Sequence, residues 1–238
     1  MPDSRFGHPA SKFAGVGHGA VEYAHPITHP DRSIMTSVLI TAFEPYGARP
    51  ENASWLALME LTRTLPEGPR ITTRRYPVDF AAVRQHLAKD LSADYDFAIH
   101  LGQSPGIAHV QLEAFGLNVG GDSSQLPERH GPLISGGPIA YQTNLPLADW
   151  AAGLRAQGIP TQVSHHAGTY LCNATLYWSC YYAEQMALKT RSLFVHLPLD
   201  VSQIVDEPKQ LASLPTSLSA RAVRLLLGEL AMLPAEIA

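Results

Sequence analysis

Short apolar runs alternate with amphipathic stretches along the chain from residue 37 onward. The apolar runs end at turns rich in glycine and proline, which is typical of buried strands, whereas apolar residues at helical spacing predict helices. Predicted strands cover Ser37–Phe43, Ile71–Val78, Phe97–Gly102, Val110–Val119, Thr161–Ser164 and Ser192–Leu199. Predicted helices run from Asn52 to about Leu65, from Asp79 to Leu91, from Pro146 to about Gln157, from Thr169 to about Lys189 and from Leu214 to Leu233. This alternation predicts an α/β protein, a single-domain three-layer α/β/α sandwich with a mostly parallel mixed sheet.

Two segments depart from the alternation. Residues 120–144 are rich in glycine, proline and serine and predict a long loop or a hairpin. Residues 1–36 show no sustained periodicity and predict a flexible N-terminal extension, or a chain that starts at Met35, ahead of one catalytic domain at residues 37–238. The extension contains four histidines, at His8, His18, His25 and His29. Their spacing matches no compact ligand set, so a metal-binding tract is the less favoured interpretation.

Composition and charge narrow the class of protein. Of the 238 residues, 45% are hydrophobic and 16% are charged, a globular balance with enough apolar side chains for a full core. The net charge of -4, from 17 basic and 21 acidic residues, excludes a strongly basic nucleic-acid binder. We find no apolar run of the ~18 residues that suggest a membrane span. Two cysteines make neither a disulfide scaffold nor a CxxC zinc pattern, so we expect a reducing, cytoplasmic location and no metal.

The segment HHAGTYLCNATLYW places Cys172 in the first turn of a predicted helix. The positive end of a helix dipole favours a thiolate there, and the nearby backbone N–H groups could hold a developing oxyanion. A lone cysteine is more often a small buried hydrophobe, which is our expectation for Cys180. Taken alone, this segment leaves both interpretations open.

Two further segments supply a histidine and an acid. His196, in FVHLPLD, lies at the end of an apolar strand, where open α/β sheets place their sites. Glu113, in VQLEAFGLNV, lies in an apolar strand, where an acid must be paired or neutral. Together with Cys172 they could form a nucleophilic triad that needs no metal. A satisfied core histidine and an edge-strand or interface carboxylate remain the alternatives at this point.

Four stretches together resemble the pyroglutamyl-peptidase I family of cysteine peptidases, also called pyrrolidone-carboxylate peptidases. They are VLITAFEPYG with NASW after it, LGQSPG followed by LEAFGLNV, AGTYLCN, and VHLPLD with Gln203. Their order and spacing agree over about residues 37–235, including the 24-residue step (196 − 172) from Cys172 to His196. The resemblance implies an exopeptidase that removes an N-terminal pyroglutamyl residue through a thioester. It also implies that Cys172 is the nucleophile, His196 the base and then acid, and Glu113 the residue that orients His196.

The resemblance also implies a substrate pocket. Phe43 and Tyr46 match the aromatic pair that sandwiches the lactam ring, Gln103 matches a glutamine close to the active site, and Tyr170 and Leu171 match pocket positions. Pyroglutamate is a flat lactam without a charged amine, so apolar faces and a few amide partners suit it. Peptides with N-terminal pyroglutamate are the expected partners, with no cofactor, nucleic acid or membrane. The homo-tetramers common in the family make that assembly an expectation by analogy.

Several positions depart from the family pattern. Ala42 stands in place of a glycine, Tyr46 in place of phenylalanine and His166 in place of a small polar residue. Ala114 replaces an arginine directly after the acid, and residues 121–124 lack the arginine that is usual in that loop. Loss of these arginines could weaken the orientation of the acid or remove a charge near the oxyanion. The alternative function is therefore a non-catalytic or altered-specificity homologue that binds or hydrolyses another small cyclic amide.

Overall fold

The computed structural model describes residues 35–122 and 124–233. Its strands are β1 (Ser37–Phe43), β2 (Arg70–Tyr76), β3 (Phe97–Gln103), β4 (Val110–Glu113), β5 (Phe115–Leu117), β6 (Ala140–Gln142), β7 (Thr161–Ser164) and β8 (Arg191–Leu197). Its α-helices are α1 (Ala53–Thr62), α2 (Phe80–Leu91), α3 (Leu147–Ala156), α4 (Leu171–Gln185) and α5 (Thr216–Met232). The prediction for residues 1–36 lies outside the described residues, except for its last two positions.

Six strands form the main sheet, in the order β2-β1-β3-β8-β4-β7. Neighbours among β2, β1, β3 and β8 pair parallel. β4 pairs antiparallel with β8 and parallel with β7. The prediction of a mostly parallel mixed sheet is therefore confirmed.

Alternation along each central strand directs side chains to two separate cores. In β8, Leu193, Val195 and Leu197 pack in the core that also holds apolar residues of α1, α3 and α5. Phe194 belongs to the second core, which holds apolar residues of α2 and α4. Helices thus cover both faces of the sheet, which confirms the predicted three layers. His196 shares the strand face of Phe194, so the alternation directs it toward the side of α4.

The predicted strand Val110–Val119 is wrong as a single element, because the chain leaves the main sheet at Ala114. β4 lies in the main sheet, whereas β5 forms a separate antiparallel pair with β6. Ala114 forms the corner between them: its N–H donates to Ser164 O at 2.7 Å, and its carbonyl accepts from Thr143 N at 3.0 Å. A corner made by alanine gives none of the glycine or proline signals that mark a strand end in sequence.

For residues 120–144 the structure favours the hairpin alternative. The segment ends by supplying β6, and it contains a 3-10 turn at Pro127–Arg129. Some helix ends also differ from the predicted bounds, because α1 ends at Thr62 and α4 begins at Leu171. Cys172 is therefore the second residue of α4.

The α-helices in the described ranges are of ordinary length, and α5 has 17 residues. No helix within residues 35–122 and 124–233 is long and apolar enough to cross a membrane.

Buried hydroxyl groups surround His100 between the sheet and α4. The ring Nδ1 lies 2.8 Å from Thr41 Oγ1, and Nε2 lies 2.9 Å from Ser179 Oγ. Ser179 Oγ lies in turn 2.7 Å from Ser192 Oγ. A neutral imidazole can satisfy both contacts, since it offers one donor and one acceptor. Burial lowers the pKa of His100 to about 3, so the folded protein keeps the ring neutral.

We expect His100 to make the stability of the fold depend on pH. An unfolded histidine has a pKa near ~6.5, so the unfolded chain takes up a proton below that pH while folded His100 does not. The contribution of His100 to the free energy of unfolding is complete above about pH 6.5. Below that pH it decreases by about 1.4 kcal/mol per pH unit. The measurement is the free energy of unfolding in urea for wild type and His100→Gln between about pH 7.5 and 4.5. The difference between the two proteins should shrink with that slope, and parallel curves would contradict the prediction.

Candidate active site

The three predicted catalytic side chains converge where the carboxyl end of β8 meets the start of α4. His196 lies in β8, and Glu113 is the last residue of the antiparallel neighbour β4. His196 Nδ1 lies 2.7 Å from Glu113 Oε1. Glu113 is fully buried and His196 is 6% exposed, so water barely screens their interaction. Cys172 and His196 both line an open cleft of about 330 Å³, which we call the thiol cleft.

A glycine allows the start of α4 to lie close to the sheet. Gly102 in β3 is the register partner of His196 in β8. A Cβ at this position would lie 2.5 Å from Phe194 Cζ and 2.9 Å from Cys172 Sγ, closer than side chains tolerate. The need for glycine at this position was not predicted. The one signal for it in the sequence is a glycine at the end of an apolar strand.

Asn173 attaches the start of α4 to β5. Its buried side chain accepts from Leu117 N at 2.8 Å and donates to Leu117 O at 2.9 Å and to Val119 O at 2.8 Å. Because Asn173 directly follows Cys172, the hairpin fixes the backbone that carries the thiol. This role was not predicted, since an asparagine in the first turn of a helix usually indicates a cap and not hydrogen bonds to a distant strand.

Cys172 lies between the positive end of α4 and the imidazole of His196. The first bond within the helix runs from Ala174 N to Tyr170 O, which leaves the earlier N–H groups of the helix without a helical acceptor. Burial disfavours the charged form of His196, but a thiolate at Cys172 and the Glu113 carboxylate outweigh it and raise the pKa of His196 to about 10. His196 is therefore protonated at neutral pH beside the sulfur, and it holds a proton that it can deliver.

The second cysteine has a different environment. Burial raises the pKa of the Cys180 thiol to about 12, against a smaller opposing effect of the Ser192 hydroxyl. Cys180 is therefore an uncharged thiol at neutral pH, which agrees with its interpretation as a small packing residue.

All five predicted substrate residues line one pocket together with Cys172, and we call this the aromatic pocket. They are Phe43, Tyr46, Gln103, Tyr170 and Leu171. Asn52 and Val78 complete the lining, and sequence analysis identified neither as a pocket residue. The cavity volume is about 30 Å³, which is small for any ligand beyond a few atoms.

Tyr46 lies at the boundary between the aromatic pocket and the thiol cleft, since it lines both. It is 38% exposed, whereas Phe43 is 4% exposed, so Tyr46 is the more accessible of the two aromatic residues. Burial and the charge at Cys172 raise the pKa of the Tyr46 hydroxyl, against smaller opposing effects of Arg49 and Gln103. The hydroxyl that distinguishes this residue from phenylalanine is therefore neutral and lies close to the Gln103 amide.

Alanine follows the acid, and only one oxygen of the Glu113 carboxylate has a hydrogen-bond partner among the described residues. Ala114 is 6% exposed at the corner between β4 and β5. Glu113 Oε2 is buried and has no hydrogen-bond partner within the part of the chain that the structure describes. The interaction with His196 through Oε1 is thus the main compensation for burying this carboxylate. Across the same described ranges, no group of three or more His, Cys, Asp or Glu side chains could hold a metal ion.

An open α/β sheet with a cysteine at a helix start, beside a histidine–carboxylate pair at strand ends, defines a thiol-dependent hydrolase. A family model described as pyroglutamyl peptidase matches residues 36–231. The pyrrolidone-carboxylate peptidase of Erwinia tasmaniensis is 35% identical over 181 residues, which cover 73% of this chain and 83% of that protein. That of Clavibacter michiganensis subsp. michiganensis is 35% identical over 196 residues, covering 78% and 91%. The chain belongs to the pyroglutamyl peptidase family, and the resemblance noted in its sequence is confirmed.

Solved structures agree with this assignment. The pyrrolidone carboxyl peptidase of Fervidobacterium islandicum AW-1 superposes with a TM-score of 0.77 at 30% identity, covering 82% of this chain and 98% of that one. A mutant pyrrolidone carboxyl peptidase from Pyrococcus furiosus gives a TM-score of 0.76 at 28% identity, covering 83% and 98%. The α/β fold is therefore that of the family over most of the chain.

We expect alkylation to distinguish the two cysteines. Iodoacetamide should label Cys172 rapidly at neutral pH, because it lines the open thiol cleft beside His196, whereas Cys180 is half-buried and protonated. The measurement is the mass of intact native protein, followed by peptide mapping, for wild type, Cys172→Ser and Cys180→Ala. Only Cys172→Ser should lose the rapid label. Rapid labelling that persists in Cys172→Ser and disappears in Cys180→Ala would reverse the assignment.

We expect Gly102→Ala to displace the nucleophile. The added Cβ would overlap Phe194 and the Cys172 sulfur, so the thiol should move from His196 and its alkylation should slow at least about tenfold. Gly153→Ala is the matched control, because a Cβ at that position in α3 meets no atom within 4 Å. The rate constants should be compared in variants whose thermal unfolding shows that they are folded. Alkylation of Gly102→Ala at the wild-type rate would show that the close approach is unimportant.

Proposed function

We propose that the chain removes the pyroglutamyl residue from the N-terminus of peptides, with Cys172, His196 and Glu113 as nucleophile, base and orienting acid. The observation that carries the proposal is the position of Cys172, which lies between the aromatic pocket and the His196–Glu113 pair. The family and the names of its relatives support the same substrate class. The proposal is therefore supported both by the geometry of the site and by the family to which the chain belongs.

The aromatic pocket suits a flat, uncharged ring. Phe43 and Tyr46 supply aromatic faces, and Leu171 adds an apolar wall. Gln103 supplies an amide that can pair with the lactam amide. A free α-amine would need a carboxylate partner, and the lining of the aromatic pocket contains no acidic residue. This lining favours an N-terminal lactam over an ordinary N-terminal amino acid.

In the acylation half-reaction, Cys172 Sγ attacks the carbonyl carbon of the pyroglutamyl residue. The electron pair of the C=O bond moves to oxygen, where backbone N–H groups at the start of α4 stabilise the oxyanion. As the C–N bond breaks, His196 transfers its proton to the leaving amine. The products are a thioester on Cys172 and a peptide that is one residue shorter.

In the deacylation half-reaction, neutral His196 accepts a proton from a water molecule as that water attacks the thioester carbonyl. The C–S bond breaks, free pyroglutamate leaves, and Cys172 returns as a thiolate beside protonated His196. Glu113 holds the Nδ1 side of the ring throughout. Nε2 is therefore the nitrogen available to exchange protons with the substrate.

The complete catalytic set favours catalysis over a protein that only binds a cyclic amide. Neither Ala114 nor the segment around residue 122 removes Cys172, His196 or Glu113, and Glu113 remains paired with His196 despite the missing arginine. Free cysteines persist most readily in a reducing compartment, so we include a cytoplasmic location in the proposal.

The test is the release of a fluorescent amine from a pyroglutamyl amide in the presence of a reducing agent. We expect turnover by wild type, none above background by Cys172→Ala, and wild-type rates for the control Cys180→Ala. Loss of the nucleophile should lower kcat by at least about a thousandfold. A folded wild type that leaves pyroglutamyl amides intact, but hydrolyses other acyl amides, would contradict the proposed substrate class.

A further inference from the structure

The orientation of one buried amide decides what the aromatic pocket offers a ligand. Gln103 is the last residue of β3, is 5% exposed, and lines both the aromatic pocket and the thiol cleft. A glutamine amide accepts at Oε1 and donates at Nε2. If Gln103 turned over, the same side chain would present an acceptor where it had presented a donor.

A backbone group fixes this orientation. Ala53 N lies 2.7 Å from Gln103 Oε1, and a backbone N–H can only donate, so the nearby atom must be the carbonyl oxygen. Gln103 Nε2 is buried and makes no hydrogen bond of good geometry within the described ranges, although the Tyr46 hydroxyl lies close to the Gln103 amide. A buried donor without a partner is costly unless a ligand satisfies it. The carbonyl oxygen of a lactam is such an acceptor.

Gln203 supplies a second donor to the same oxygen. Gln203 Nε2 lies 2.8 Å from Gln103 Oε1 and 2.9 Å from Glu51 O. Its own Oε1 accepts from Asp200 N at 2.8 Å, within the capping box of the 3-10 turn at Val201–Ile204. Two backbone groups therefore fix the orientation of Gln203, and Gln203 transmits that orientation to Gln103.

We propose that Gln203 is a positioning residue, which holds Gln103 with its N–H₂ end toward the carbonyl oxygen of a bound lactam. The inference rests on the proposed substrate class and identifies a residue that acts on it without touching substrate. Of the two donors that hold Gln103 Oε1, the Ala53 N–H belongs to the backbone of α1, so Gln203 is the one that substitution can change.

Gln203→Glu separates this role from a structural one. The carboxylate keeps an oxygen that can accept from Asp200 N, so the capping box survives. It loses the N–H₂ group and places a negative oxygen against Gln103 Oε1 and Glu51 O. This repulsion opposes the Ala53 N–H that holds Gln103 Oε1, so the Gln103 amide should turn or shift from its position. The N–H₂ end of Gln103 is then no longer held toward the lactam carbonyl, and lactam binding should weaken.

The first measurement is the binding of 2-pyrrolidinone, a bare five-membered lactam, by NMR titration of the native full-length chain. We expect Gln203→Glu to raise its Kd about tenfold, the size of effect expected for one lost hydrogen bond. Gln85→Glu on the exposed face of α2 is the control for the added charge, and it should bind as wild type does. An unchanged Kd in Gln203→Glu would overturn the inference.

A double-mutant cycle shows whether Gln203 acts through Gln103. Gln103→Met removes the amide but keeps the length of the side chain. In the Gln103→Met background, Gln203→Glu should then change the Kd by less than about twofold, because the side-chain amide of Gln103 that it would reorient is absent. Equal losses in both backgrounds would show that Gln203 supports the site only by local structure, and the inference would be wrong.

Turnover of a pyroglutamyl amide by the same samples separates this inference from the proposed function. If wild type binds 2-pyrrolidinone in a Gln203-dependent way but does not cleave the amide, the proposed function fails and the positioning role stands. If wild type cleaves the amide and Gln203→Glu retains the wild-type KM and Kd, the positioning role fails and the function stands. Absence of both binding and turnover in folded wild type would overturn both.

Discussion

The site depends on the burial of one carboxylate. Glu113 is fully buried, and an ionised carboxylate in that position requires a partner of opposite charge. His196 is that partner at 2.7 Å, and the resulting stabilisation of its imidazolium provides the positive charge beside Cys172. The geometry follows from the sheet, because β4 runs against β8 and its last residue pairs with Phe194. The Glu113 side chain reaches His196, which lies two residues further along β8 on the same strand face. If β4 ran parallel to β8, its carboxyl end would point the other way along β8, and Glu113 would not have this position relative to His196.

Two histidines on the α4 side of the sheet show how partners determine charge. His100 and His196 lie in β3 and β8, in neighbouring strands, and both are buried. Hydroxyl groups surround His100, so burial dominates and its pKa falls to about 3. His196 faces a carboxylate and a thiol, and its pKa rises to about 10. The same residue type is thus a neutral packing group in one position and a charged imidazolium in the other.

Local patterns in the sequence predict the layers and the strand faces, because alternation and helical spacing depend on near neighbours. The residues Cys172, His196 and Glu113 are recognisable through the motifs that contain them, although no local pattern shows that they meet. Gly102 and Asn173 were not predicted, since their roles depend on the distance between elements far apart in the chain. The corner at Ala114 was missed because long-range hydrogen bonds make it, and alanine itself favours no turn.

The order of strands in the sheet has a consequence for the timing of reactivity during synthesis. β8 lies between β3 and β4, yet it follows both of them, and also α4, along the chain. A nascent chain therefore carries the thiol of Cys172 before His196 has been added. The thiol gains its imidazolium neighbour only when β8 inserts into the middle of the sheet. A chain that ends before β8 consequently has the thiol but not the imidazole that the proposed mechanism requires.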